Sequence, residues 1–160
     1  MDLDQFRKDA NRSQTENRKL YDKLKRKKPL ALDETVHRLH DEAFEVTDCL
    51  QCANCCKTTS PIFYEKDIDR AAGSIGMKPG EFIEKYLHID EDKDYVLNSA
   101  PCPFLGGDNY CSIYKDRPAA CREYPHTKRK RMYQIMDLTY RNTLVCPAVL
   151  RITEELKKIY

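Results

Sequence analysis

Apolar residues recur along this chain at changing intervals, and the changes mark out its parts. In residues 2–28 they are sparse, with Leu3, Phe6, Leu20, Tyr21 and Leu24 standing among Asp, Glu, Gln, Arg and Lys. That spacing predicts a solvent-facing helix, broken near Asn11–Ser13 and ended before Pro29, whose ring cannot continue a helix. Leu32, Val36, Leu39 and Ala43 fall on one helical face, so a better-buried helix is expected over 33–46. Periodicity then vanishes from Asp48 to Thr59, which reads as loop or short turns. Ser60-Pro61 suits the start of a short turn, and Asp67–Ala72 reads as a helix stopped by Gly73 and Gly76.

Pro79 opens a second short helix over Glu81–His88, with Phe82, Ile83 and Leu87 inward. Tyr95-Val96-Leu97 suits a brief strand. Gly106-Gly107-Asp108-Asn109 is a tight turn between Phe104-Leu105 and Tyr110–Tyr114, which predicts a small hairpin. Pro118 takes a favourable first helical position for Ala119–Tyr124, and Pro125 ends that helix. Tyr133–Tyr140 is open on pattern alone, while Val149, Ile152, Leu156 and Ile159 form the stripe of a last helix over Ala148–Ile159. These elements sum to a mainly α fold with a small β-hairpin, an α+β class. A single compact domain over 1–160 is expected, with 1–28 a peripheral helical segment and 46–146 a cysteine-rich core.

Composition permits such a domain without forcing metal on it. With 160 residues, 41% of them hydrophobic, the chain can bury a modest core. Its 28 basic and 26 acidic residues leave a net charge of +2, which argues against nucleic acid as a partner; a protein partner of unknown identity is compatible. Two local basic runs, KLKRKK at 23–28 and KRKR at 128–131, depart from that balance, and each reads first as a solvated surface. The start, MDLDQFRKDANR, lacks the apolar segment of a secretory signal, and no run approaches the ~18 apolar residues of a membrane span. A cytoplasmic location and no membrane partner are expected.

Eight cysteines gain their meaning from that location. Cytosolic buffers keep thiols reduced, so four stable disulfides are disfavoured and metal ligation is favoured. Cys49-x2-Cys52-x2-Cys55-Cys56 places four thiols within eight positions; Cys102, Cys111, Cys121 and Cys146 follow, each beside a proline or a glycine turn. Consecutive residues seldom point to one small metal, so the run supplies Cys49, Cys52 and either Cys55 or Cys56 to one centre. All eight form the ligand pool, either four in one cluster or eight divided between two sites. Zinc accepts four thiolates tetrahedrally and would clamp the fold, whereas a 4Fe–4S cluster also takes four cysteines and tolerates a C-x2-C-x2-C run. The density of thiols places an iron–sulfur cluster slightly ahead of Zn. Lys57, Arg117 and Arg122 stand near enough in sequence to offset thiolate charge.

On these residues the chain resembles the YkgJ-type proteins, a zinc- or iron-chelating domain of the CxxCxxCC class. The resemblance is carried by CLQCANCC at 49–56 and PCPFLGGDNYCSIYKDRPAACREYP at 101–125, with Cys146-Pro147 matching the family's last cysteine. It implies a small metal-binding protein, and a related cysteine pattern in flagellin lysine N-methylases implies, as an alternative, a redox or group-transfer enzyme. No glycine-rich turn after a strand offers a site for a methyl-donor nucleotide, and a four-thiolate site has no open position, so catalysis is the minority reading. A further alternative is a structural zinc module that binds protein or nucleic acid. His37 and His40 with Glu42 read more simply as a helix surface than as ligands, His88 as a helix-end residue, and His126, near Cys121, as the histidine best placed to touch a centre. Tyr86, Tyr95, Tyr110 and Tyr114 read as core or core-rim residues.

Overall fold

A computed structural model describes residues 2–160. In chain order the helices are α1 (Leu3–Arg12), α2 (Gln14–Lys27), α3 (Leu32–Glu45), α4 (Cys49–Cys52), α5 (Asn54–Thr58), α6 (Glu65–Ser74), α7 (Pro79–Tyr86), α8 (Ala119–Glu123), α9 (Met136–Asn142) and α10 (Pro147–Ile159). The strands are β1 (Ile62–Phe63), β2 (Leu87–Ile89) and β3 (Tyr95–Leu97). The α+β class expected from the pattern is what the chain adopts. It separates into two compact units, residues 2–52 with Pro125–Tyr160, and Ala53–Tyr124.

The first unit is helical because its apolar stripes have partners. Leu32, Val36, Leu39 and Ala43 of α3 bury against Ala148, Ile152 and Leu156 of α10, and Leu20, Tyr21 and Leu24 of α2 close the same core with Met132 and Met136. Tyr21 is nearly inaccessible, and its hydroxyl meets the Thr153 Oγ1 at 2.7 Å, which satisfies both groups inside the core. The break between α1 and α2 falls at Ser13, within the span the pattern marked. Asp2 caps α1, its carboxylate accepting from the Asp4 and Gln5 amides.

One side of α3 holds a segment that periodicity could not assign. Asp33 accepts from the Arg131 and Met132 amides at 2.6 and 2.8 Å. A turn further on, His37 Nε2 meets the Arg129 carbonyl at 2.8 Å; next, His40 Nδ1 meets Thr127 Oγ1 at 2.6 Å and Asp41 pairs with Lys128. Positions 33, 37, 40 and 41 share one helical face, so residues 127–132 are clamped along it. The His37/His40 pair is therefore a clamp. After it, Met132–Ile135 forms a 3₁₀ turn and α9 continues, which assigns the open stretch 133–140 to helix.

The second unit wraps a small sheet with short helices. The strand order is β1-β3-β2, all antiparallel, with Val96 opposite both Ile62 and His88. Phe82 is fully buried and stacks on Phe104 at 5.7 Å between centroids, with Phe63 and Tyr86 packed around it. Ser60 adds a hydroxyl that accepts from the Leu97 amide at 2.7 Å.

Several expectations are corrected here. The run Asp48–Thr59 holds two single-turn helices rather than loop, separated by Ala53 at φ 46°. Ser60-Pro61 leads into β1, not directly into a turn and helix, and α6 begins at Glu65, two residues before the expected start. The helix begun by Pro79 stops at Tyr86, and Leu87 and His88 belong to β2, where His88 meets Asn98 rather than helix carbonyls. The hairpin lies at β2–β3; the Gly106–Asn109 turn joins only an isolated bridge between Leu105 and Cys111. Tyr110 and Tyr114 are exposed, because the turn they flank is too short to bury them. No helix among the described residues is long and apolar enough to cross a membrane.

His40 gives the first unit a defined pH response. Burial, then Lys128 and to a lesser degree His37, hold its pKa below 6.5, with Asp41 opposing. The unfolded chain therefore binds the proton more readily, so this contribution to stability is complete above about pH 6.5 and declines as pH falls toward the folded value. Urea midpoints measured at pH 8 and pH 5 should drop on acidification, and His40→Gln should flatten that drop.

Candidate metal centre

Cys56 lies on the short helix α5, and its carbonyl accepts the Cys102 amide at 2.8 Å, a main-chain tie that brings the second cysteine segment beside the first. From Cys102 the chain turns at once. Leu105 N donates to the Cys102 carbonyl at 3.1 Å, Gly106 N to Tyr110 O at 2.7 Å, and Ser112 N to Phe104 O at 2.8 Å. Gly106 fits this turn closely: a Cβ there would stand 2.7 Å from Asp108 Oδ1, which would have to swing aside, and 3.3 Å from the Tyr110 carbonyl. The result returns Cys111 across from Leu105, a few residues after Cys102.

Cys121 arrives on α8, and α8 is oriented by a carboxylate that the sequence reading did not single out. Asp67 is almost fully buried on α6. Its Oδ1 accepts from the Ala119 amide at 3.1 Å and from Arg70 at 2.5 Å, while Oδ2 accepts from the Tyr64 amide at 3.1 Å. One side chain thus starts α6, pairs with Arg70 and pins the first amide of the helix bearing Cys121. The available signal was its position three residues into α6, where an acid commonly folds back on the preceding amide. Pro118 caps α8 from outside instead of opening it.

The thiols of this unit report one another through their charges. Burial raises the pKa of Cys102, with Cys111 and Cys56 adding to it; burial likewise raises Cys111, with Cys56 adding. Burial first, then Cys56, Cys102 and Cys111, push Cys121 up to about 12. Cys56 moves the other way, to about 7, through its hydrogen bond with the Cys55 thiol at 3.9 Å and the positive charges of Lys57 and Arg117. The structure therefore brings Cys56, Cys102, Cys111 and Cys121 into one neighbourhood. Arg117 stands over the Tyr114 ring, 3.7 Å from its centroid, and donates to the Tyr114 carbonyl. Arg122 is directed to the Arg117 carbonyl, which is a structural use for the cation expected to offset thiolate charge.

In the first unit, Cys49 and Cys52 bound the single turn α4, with Asp48 accepting from the Leu50 amide at 2.8 Å. Cys146 caps α10 just before Pro147. Burial raises its pKa to about 11, opposed by the nearby Val149 and Ala148 amides, and raised further by Cys49 and Cys52. Those two amides are what a helix start offers an anion. Cys49, Cys52 and Cys146 thus form a second neighbourhood. Cys55 lies on α5 beside Cys56, and His126 lies just outside α8 in a left-handed conformation.

Among the described residues no cysteine is in a disulfide, and no three His, Cys, Asp or Glu side chains already stand close enough together to hold an ion. Their donor chemistry is nonetheless of one kind, four sulfurs in one neighbourhood with a cation at hand, which fits a thiophilic metal or cluster. These observations define a cysteine-based metal-binding class. A family model described as "CxxCxxCC: Putative zinc- or iron-chelating domain" matches residues 48–144, and the chain belongs to that family. Cys146 lies just beyond the matched span. No curated protein and no solved structure matches the chain.

Asp67→Ala removes the acceptor of two amides and strands Arg70, so it should lower the unfolding free energy by on the order of 3 kcal/mol. Urea denaturation would show this, with Asp67→Asn falling between it and the parent.

Proposed function

We propose that this protein is a binder of iron–sulfur clusters with two cysteine ligand sets. The observation that carries the proposal is the mutual charge coupling of Cys56, Cys102, Cys111 and Cys121, which supports taking the last cysteine of the CxxCxxCC run away from its three companions. Cys146 is coupled to Cys49 and Cys52, and these three form the other set.

A bound cluster would supply reversible one-electron storage. The chain's own residues hold it and moderate its charge. Lys57 and Arg117 offset thiolate charge at the Cys56 set, and the nearby Ala148 and Val149 amides favour the Cys146 thiolate in the other. With four protein thiolates in the Cys56 set, no position remains there for a substrate. Electron transfer or a structural role therefore fits better than group transfer. A C-x2-C-x2-C run is a recognisable cluster spacing, and this supports iron over zinc.

Anaerobic purification followed by iron, sulfide and zinc analysis tests the proposal. A brown protein absorbing broadly near 400 nm, with two clusters' worth of iron and sulfide, is expected. Cys56→Ser and Cys52→Ser should each remove about half of the iron, and the double variant nearly all of it. A colourless protein holding only zinc would overturn the iron assignment, and loss of all metal from either single variant would overturn the division into two sets.

A further inference from the structure

The two basic runs, a hundred residues apart in sequence, end on the same unit of the fold, and three observations show how closely they are joined. Arg131 and Met132 are bonded through their amides to Asp33, five residues after Lys28. Lys28 Nζ lies 5.0 Å from the centroid of Tyr133, two residues after Arg131. Finally, the 3₁₀ turn that follows the second run packs against both α2 and α3. The clamp on α3 uses the Thr127 hydroxyl, the Lys128 ammonium and main-chain groups of 129, 131 and 132. It leaves the side chains of Arg129, Lys130 and Arg131 for solvent.

Across from them, Arg26, Lys27 and Lys28 are exposed as well, and none of these six cations has an ion pair among the described residues. Neighbouring acids are already engaged: Asp41 by Lys128, Asp137 by Lys25 and Arg18, Asp33 by amides. Glu34 is the exposed acid that remains nearby on α3. Lys28 and Arg131 also adopt left-handed backbone, at φ 45° and 59°, where glycine or asparagine would be less strained. Two long cationic side chains therefore occupy positions that backbone preference alone would give to glycine.

We propose that this face, built from Arg26, Lys27, Lys28, Arg129, Lys130 and Arg131, binds the phosphate backbone of nucleic acid. The reading is independent of which metal the cysteines hold. Three of the six are arginines, whose forked donors match phosphate oxygens, and a half-buried tyrosine lies beneath Lys28. Leu30 is the exposed large apolar residue at this corner, and one leucine is too little to enter a bilayer. The near-neutral composition conceals the face, because the rest of the chain is slightly acidic.

Fluorescence anisotropy of the metal-loaded full chain with a labelled single-stranded RNA and a labelled DNA duplex, each of about 20 nucleotides per strand, tests this over a salt series. Binding that weakens steeply with salt is expected, with log K falling by about 0.9 per phosphate neutralised on duplex. The variant Arg26→Ala/Lys27→Ala/Arg129→Ala/Lys130→Ala should bind at least about tenfold more weakly and flatten the salt slope by about three. Lys28→Gly/Arg131→Gly should weaken binding while leaving the melting temperature unchanged or higher, an outcome a merely structural role for these side chains would not give. No binding by the parent at low salt, equal binding by the fourfold variant, or binding only to vesicles of phosphatidylserine and phosphatidylcholine would each overturn the proposal.

Discussion

Thiolates gathered in a half-buried place cannot all ionise, and this constraint governs the second unit. Cys102, Cys111 and Cys121 each carry a raised pKa from burial and from one another, so the group remains protonated unless a cation takes the protons' place. Around it the chain spends its few regular hydrogen bonds on position. The Cys56 carbonyl receives Cys102, the glycine turn returns Cys111, and Asp67 fixes the start of α8. The stacked phenylalanines beneath supply a rigid floor, since Cys102 and Cys111 pack directly on that core.

The first unit solves a different problem with similar means. Its helices bury apolar stripes, but the segment between α8 and α9 has no stripe to bury. It is held instead by polar groups repeating along α3, each satisfying a main-chain, hydroxyl or ammonium partner. Asp33, His37, His40 and Asp41, which in sequence resemble an unremarkable wet surface, are there to fasten a loop. Their pairing with Thr127 through Met132 explains how a run of four cations can be kept in one conformation despite mutual repulsion.

What could be read from sequence follows from length and period. The stripes of α3 and α10 repeat over three or more turns, so their type and most of their buried residues were evident, as was the break at Ser13. Ile159, expected in the α10 stripe, is exposed at the end of that helix. Helices of four or five residues, such as α4 and α5, contain less than two turns and carry no period, and strands of two or three residues alternate too briefly to register. The cysteines stood out in sequence by their spacing. Their sorting did not, because which neighbours Cys56 meets depends on a main-chain bond to Cys102, nearly fifty residues away. Asp67 was hidden for the same reason: its distant partner is an amide, which has no sequence signature.

The arrangement of the first unit has a consequence for how the chain is made. Its α3 closes against α10, so about a hundred residues must be synthesised before the apolar face of α3 is covered, a wait of roughly 5–20 s at ribosomal rates. The segment Ala53–Tyr124 is contiguous and is complete well before that. On the ribosome the order is therefore inverted: the middle of the chain can finish folding while its beginning still waits for its end.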